Sequence, residues 1–303
     1  MSSFFIKVKQ HLAAYYGHNH LKWYANYLYR EKFGRNINWK KPTEFNEKIR
    51  WMMFCTDTSL WTLCADKYRV RDYVAQRGHS EILTELYGMW ESVDDIDFDQ
   101  LPQSFVIKPN NGTADVSVVP DKSIADYDKI IETLRRSINS PLGYRTAEIH
   151  YLGIMPCVIA EEMLPNDTSF SSSIVDYKFY CFNGEPFCCG VFYNRDRECH
   201  QRSATFYDMN WEKRPDWLEA KRRSRSGDVP KPKNFELMKQ LCHDLTSGVP
   251  FVRLDLYEAK GKVYFGEYTF SPASASGGSL NPDLFGKLGD MIDLSLCKKK
   301  EKK

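Results

Sequence analysis

The stretch FGEYTF, Phe265 to Phe270, carries a glutamate in the middle of an otherwise strand-like run. A carboxylate among aromatic and β-branched residues is costly unless it is paired or holds a metal. With the residues before it, RLDLYEAKGKVYFGEYTF reads as a hairpin. A three-residue loop, Ala259-Lys260-Gly261, puts Gly261 where φ > 0 is needed and pairs Glu258 with Lys262. In that register Arg253 lies opposite Glu267, Asp255 sits diagonally on the same face, and Thr269 shares it. Leu254, Leu256, Tyr264, Tyr268 and Phe270 then face the core. A two-residue loop, Lys260-Gly261, would put Asp255 and Glu267 on opposite faces, so the bulge decides the reading. Two carboxylates with an arginine between them suit a Mg²⁺ site of oxygen ligands; a structural ion-pair network around Arg253 fits this hairpin equally well.

A second set of residues suits phosphate. SFVIKPNNGTADVSVV gives a strand ending at Lys108, a loop with Gly112 and Thr113, then another strand. Such a loop aims backbone N–H groups at an anion, and the lysine adds a point charge. It is not a Walker A pattern, which needs glycine directly before the lysine and a helix after it; alone, it also reads as an ordinary hairpin. Lys67 in ADKYR, Lys178 in VDYKFY, and Glu161-Glu162 ending the apolar run CVIAEEML add separated lysines and a hinge-like strand end. Lysines on phosphates, carboxylates on Mg²⁺ and a mobile lid are the inventory of nucleotide-dependent phosphoryl transfer.

The elements that must position these residues change character along the chain. Residues 1 to about 90 read mainly helical, with Thr43 as N-cap of TEFNEKIRWMMF and Gly78 closing DKYRVRDYVAQRG. From Phe105 the pattern turns to strands: SFVIKP, VSVVP, CVIAEEM, YKFYCF, PFCCGVFY, FVRLDLYEA and KVYFGEYTF, with helices near 124–139 and 234–246. Asn183-Gly184 between two such runs is a strong hairpin signal. An α+β fold with antiparallel sheets is expected, not a doubly wound parallel one. Residues 194–227 read as an arginine- and aromatic-rich interruption in which Arg195, Arg197 and Arg202 suit an anionic sugar and Trp211 or Trp217 a stacking contact. A solvated loop is the plainer reading there.

Composition excludes several classes. At 303 residues, 42% apolar and 27% charged, the chain is an ordinary globular protein of about two domains. A net charge of +2 without a basic stripe argues against a nucleic-acid binder. No apolar run approaches the ~18 residues of a membrane span. Lys7 and Lys9 interrupt the N-terminal apolar stretch, which reads as an amphipathic helix with Phe5, Val8 and Leu12 on one face and not as a secretory signal. The basic tail, Lys298 to Lys303, reads as a solvated end or as a peripheral contact with anionic lipid. Nine cysteines without a C-x-x-C pair suggest free thiols in a reducing cytoplasm. The seven histidines form no metal-spaced cluster.

Taken in order, DK, VIKPxxG, IAEEML, DYKFYCFNGEP, FVRLDLYE and FGEYTFSPASASGG resemble the ATP-grasp superfamily, and more narrowly its TupA-like branch, over roughly residues 40 to 295. That branch is named for a teichuronopeptide synthesis protein and is associated with bacterial surface polysaccharides. The resemblance implies ATP and one or two Mg²⁺ ions as cofactors. It matches Lys67 and Lys108 to the lysines on the phosphates, the 109–115 loop with Asn111, Gly112 and Thr113 to the lid, and Glu161, Glu162, Met163 and Leu164 to the adenine-bearing hinge. Asp176 falls to the ribose and Lys178 to a phosphate. Asp255 and Glu267 match the metal carboxylates, with Thr269 standing where many members have asparagine. Arg253 and Lys178 are the candidate catalytic residues, Arg253 either supporting an acyl phosphate or orienting Glu267.

The implied division is a helical region 1–65, ATP-grasp subdomains 66–160 and 161–297, and the tail 298–303. The implied activity is an ATP-dependent carboxylate–amine ligase acting through an acyl phosphate on an acidic sugar or glycan and an amine or amino acid. A glycosyltransferase and a sugar kinase are the rival readings; Asp94-Asp95-Ile96-Asp97 contains the D-x-D string the former would want, but in VDDIDFDQLP it reads as an acidic connector before Pro102.

Overall fold

The structure is a computed structural model that describes residues 12, 15–16, 18–112, 115–139, 142–166, 169–196 and 201–300. Phe5, Val8, Thr113, Arg197 and the last three residues of the tail therefore lie outside the described residues, and Leu12 is exposed.

Helices α1 (Leu21–Phe33), α2 (Phe45–Cys55), α3 (Ser59–Ala65) and α4 (Val70–Gln76) open the chain. The N-cap of α2 is Glu44, not Thr43: the Glu44 and Glu47 side chains complete a reciprocal capping box. Gly78 follows α4 at φ +87°, as a helix-ending glycine should. Then come β1 (Leu86–Trp90), β2 (Phe105–Pro109), β3 (Ser117–Val119), α5 (Tyr127–Ile138), α6 (Leu142–Thr146) and β4 (Val158–Glu161). The remaining elements are β5 (Asp176–Phe182), β6 (Glu185–Asp196), β7 (Gln201–Tyr207), α7 (Phe235–Thr246), β8 (Val252–Ala259), β9 (Lys262–Thr269) and α8 (Phe285–Asp290).

Two antiparallel sheets carry the site, which makes the fold α+β. The first runs β1-β4-β2-β3 and the second β7-β6-β5-β8-β9. Alternation in β2 sends Phe105 and Ile107 to a core shared with Ile130 and Leu134 of α5, and leaves Lys108 on the opposite face. In the second sheet Phe179, Leu254, Leu256 and Tyr268 pack with Phe235, Met238, Leu241 and Leu245 of α7. The Tyr268 hydroxyl donates to the Leu245 carbonyl at 2.9 Å. The other face of the second sheet is therefore free to carry charge.

Two strands were not expected. β1 falls inside a segment that reads as helical, and β7 inside the 194–227 interruption. Trp211 and Trp217 are structural: Trp217 is 4% exposed, and Trp211 stacks on Tyr207 at 4.3 Å.

The β8–β9 register differs from the expected one. The turn has two residues, Lys260 and Gly261, at φ +52° and +71°, and Ala259 pairs with Lys262. Carried through unbroken, that register would place Asp255 and Glu267 on opposite faces. A bulge at Gly266 restores them: Leu256 pairs with Phe265, and Asp255 with Glu267 directly. Arg253 consequently lies opposite Thr269 rather than Glu267. Phe265, not Tyr264, joins Leu254 and Leu256 in the core, while Tyr264 pairs with Tyr257.

Only glycine fits at the bulge, because a Cβ on Gly266 would meet the Asp255 carbonyl oxygen at 2.8 Å and the Tyr257 ring at 2.9 Å. We expect Gly266→Ala to cost about 1–3 kcal/mol in urea unfolding. Gly286→Ala, in α8 with nothing within 4 Å, should be neutral or mildly stabilising. Equal stabilities for the two variants would contradict this reading of the bulge.

Candidate active site

The second sheet aligns three residues side by side on its polar face. Lys178 of β5 pairs with Asp255 of β8, and Asp255 with Glu267 of β9. The next row is Tyr180, Arg253 and Thr269. Opposed side chains on neighbouring strands lie about 5 Å apart at Cβ, so the register alone makes a charged row.

Arg253 locks that row. Its Nε donates to Asp255 Oδ1 at 2.6 Å, and its Nη2 donates to Asp255 Oδ2 at 2.7 Å, Glu267 Oε1 at 2.8 Å and Thr269 Oγ1 at 2.9 Å. Thr269 in turn donates to Glu267 Oε1 at 3.0 Å. Lys178 closes the far side of Asp255 and stands 3.7 Å from Asp176. Asp176 is itself paired with Arg195.

The charges are compensated but unequal in exposure. The Asp255 side chain is 1% exposed and forms the floor; that of Glu267 is 39% exposed and forms the lip. Burial pushes the Asp255 carboxyl up, against Arg253 and Lys178, which pull it down. Partial burial also opposes ionisation of Glu267 at the lip. There the nearby cations Arg253, Lys178 and Lys67 win and hold it down to about 2.

The first sheet brings the lysines. Lys108 pairs with Glu161 across β2 and β4, and the Thr84 hydroxyl donates to the other Glu161 oxygen at 3.3 Å. Lys67 donates from Nζ to the Gly112 carbonyl. Burial depresses the Lys67 pKa, with Lys108 adding to the effect and Glu267 opposing it.

Asn110 holds this arrangement and was not anticipated from the sequence. Its side chain donates to Asp66 at 3.0 Å and to the Met155 carbonyl at 2.9 Å, and accepts from Cys157 N–H at 2.9 Å. Its carbonyl accepts from Lys67 N–H at 3.1 Å. The Asp66-Lys67 pair is thus tied to the loop after Lys108. The Asn-Asn dipeptide before Gly112 was the available signal. The neighbouring Asn111 is 4% exposed, and its Oδ1 is buried without a partner.

Beyond β4, Glu162, Met163 and Leu164 run out in irregular, half-buried chain. Lys260, at the tip of the β8–β9 turn, donates to Glu162 at 2.7 Å and links the two sheets at that point. Asp97, in the acidic connector after β1, caps a turn by accepting from Asp99 N–H at 3.0 Å. All eight described cysteines are free thiols, and six are buried.

Asp255 and Glu267 fit a hard divalent cation by donor chemistry. Mg²⁺ is commonly held by one or two carboxylates and completes its shell with phosphate oxygens and water. Among the described residues no group of three or more His, Cys, Asp or Glu is placed to cage a metal unaided. Nor is any described helix long and apolar enough to cross a membrane.

The depressed Glu267 pKa gives a pH signature. A carboxylate whose folded pKa lies below its ordinary 4.5 adds stability above pH 4.5 and loses it as the pH falls toward about 2. The urea-midpoint difference between wild type and Glu267→Gln should therefore be constant near neutrality and shrink between about pH 4.5 and 2. A difference independent of pH over that window would contradict the charge assignment.

No curated protein matches the sequence. Among solved structures, the D-alanine–D-alanine ligase of Bacillus anthracis complexed with ATP is 18% identical, over 78% of this chain and 67% of that one, at a TM-score of 0.47. The D-alanine–D-alanine ligase of Helicobacter pylori is 14% identical, over 86% and 68%, at 0.43. The phosphoribosylamine–glycine ligase of Thermotoga maritima is 15% identical, over 73% of this chain and 52% of that one, at 0.43. The sequence matches the TupA-like ATP-grasp family across residues 47–293. The chain belongs to the TupA-like ATP-grasp family.

Proposed function

We propose that this protein is an ATP-dependent ligase that joins a carboxylate to an amine through an acyl phosphate. The observation that carries the reading is the row Lys178–Asp255–Glu267, two carboxylates flanked by cations on the open face of a sheet.

In this reading residues 66–160 and 161–297 form the two halves that close on ATP. Lys67, Lys108 and Lys178 take its phosphates, with Lys108 moving from Glu161 to phosphate oxygen. The backbone at Asn111 and Gly112 covers them. Glu161 to Leu164 carry the adenine, and Asp176, already oriented by Arg195, faces the ribose. Asp255 and Glu267 would hold Mg²⁺, which when bound would supply positive charge to offset that of the phosphates.

A substrate carboxylate oxygen attacks the γ-phosphorus, and the bond from that phosphorus to the β–γ bridging oxygen breaks, releasing ADP. The amine nitrogen then attacks the acyl carbon of the acyl phosphate. The carbon–oxygen bond breaks, inorganic phosphate leaves, and the amine loses a proton to give the amide. Arg253 contributes by fixing both carboxylates before ATP arrives, so little reorganisation is needed as charge develops. Thr269, committed to Arg253 and Glu267, positions Glu267. The family's association with bacterial surface polysaccharides supports an acidic sugar or glycan as the carboxylate and an amine or amino acid as its partner.

Asp255→Asn and Glu267→Gln should each lower ATP turnover at least a hundredfold while the folded state is retained, as read by ADP release and circular dichroism. Lys108→Ala should weaken nucleotide binding about tenfold or more, whereas Lys221→Ala, at an exposed lysine paired with Glu219, should leave it unchanged. Hydroxylamine added during turnover with an acidic-sugar panel should trap a hydroxamate. A stable phosphosugar without hydroxamate would establish a sugar kinase instead.

A further inference from the structure

Beside the row lies a cation that the reaction as written does not use. Phe192 of β6 pairs with Asp176, and Gly190 with Lys178, so Phe192 shares the polar face of the sheet. The Lys178 ammonium lies 5.6 Å from the Phe192 ring centroid, and the Arg202 guanidinium 4.9 Å from it. Arg202 comes from β7, one strand farther out.

Among the described residues, charge matching around this ring leaves one cation without a carboxylate partner. Arg253 is matched by Asp255 and Glu267, Arg195 by Asp176, Lys178 by Asp255, and Arg222 by Glu219 at 3.3 Å. Arg202 has no carboxylate within salt-bridge distance among the described residues; its mapped contact is the Phe192 ring. Arg202 lies at the exposed rim of the cluster, where partial burial and the like charges of Arg195, Arg222 and Arg253 press its pKa downward and Asp176 opposes them. A guanidinium does not shed its proton in response, and an oxyanion arriving from solution is the group that matches its charge and fork geometry.

We propose that Arg202, laid on Phe192 and flanked by Arg195 and Arg222, docks a second oxyanion of the acid substrate, distinct from the carboxylate that reacts. The separation supports two groups: β6 lies two strands from β8, about 10 Å by strand spacing. A carboxylate in line with a phosphate at Asp255 and Glu267 does not also reach Arg202. The inference rests on the ligase reading and narrows its substrate class to acids bearing at least two anionic groups, as carboxylate or phosphate. The planar fork of arginine favours bidentate capture of either.

The test uses the full chain with Mg²⁺ and a non-hydrolysable ATP analogue at saturation, and inorganic phosphate as probe. Chloride balances the ionic strength, and the readout is the melting temperature. Wild type should show a phosphate-specific rise. Arg202→Gln should need at least tenfold more phosphate for the same rise, Arg202→Lys should fall between, and Lys221→Gln should match wild type. Glucose 1-phosphate and digalacturonate in place of phosphate then tell which anionic source the site prefers. No phosphate-specific rise in wild type, or an unchanged response in Arg202→Gln, overturns the proposal. The response to the nucleotide analogue alone is recorded separately: its absence would count against the ligase reading, whereas its presence with a failed phosphate arm would count only against Arg202.

Discussion

The bidentate contact of Arg253 with Asp255 is the interaction on which the rest of the site depends. Asp255 is almost wholly buried, and a lone carboxylate there would be driven to its neutral form. Arg253 and Lys178 keep it balanced, and the same guanidinium reaches on to Glu267 and Thr269. Removing one partner from such a cluster leaves an uncompensated buried charge, which is far more destabilising than the intact pair is stabilising. The cluster is therefore better understood as a device for holding two carboxylate oxygens in place than as a source of fold stability.

Backbone geometry makes that contact possible. The Lys260-Gly261 turn sets a register that would separate the acids, and the Gly266 bulge reverses it. One residue without a side chain thus decides whether Asp255 and Glu267 meet. On the opposing sheet Asn110 has a comparable role, since its amide and backbone fix Asp66-Lys67 against the loop that follows Lys108. Each half of the cleft thus has its charged residues positioned by one local feature, the Gly266 bulge in one and the Asn110 bonds in the other.

Much of this was legible in the sequence. The Asn183-Gly184 hairpin forms with both residues at positive φ, as the dipeptide signals. The strands from β2 onward, β7 excepted, follow their aromatic and β-branched runs. The register of β8–β9 was not legible, because Ala-Lys-Gly serves a two- or a three-residue turn and a mid-strand glycine does not announce a bulge. The two errors offset each other: the shorter turn and the added bulge together return both acids to one face, though with different partners. β7 was hidden because Arg202, Ser203 and Thr205 look like loop residues when their neighbours are polar. β1 was hidden because Leu86–Trp90 follows directly on helices. Asn110 escaped because an asparagine in a glycine-containing loop ordinarily signals a turn, and its value depends on residues more than forty positions away.

The most direct measurement is electron paramagnetic resonance of Mn²⁺, standing in for Mg²⁺, titrated with a non-hydrolysable ATP analogue and protein. If Asp255 and Glu267 complete a metal–nucleotide site, wild type should convert the free Mn²⁺–nucleotide signal into a protein-bound one. Asp255→Asn, with its fold verified, should leave the free signal in place. A bound signal of equal strength in wild type and Asp255→Asn, or no bound signal in wild type, would contradict the assignment of these carboxylates to the metal.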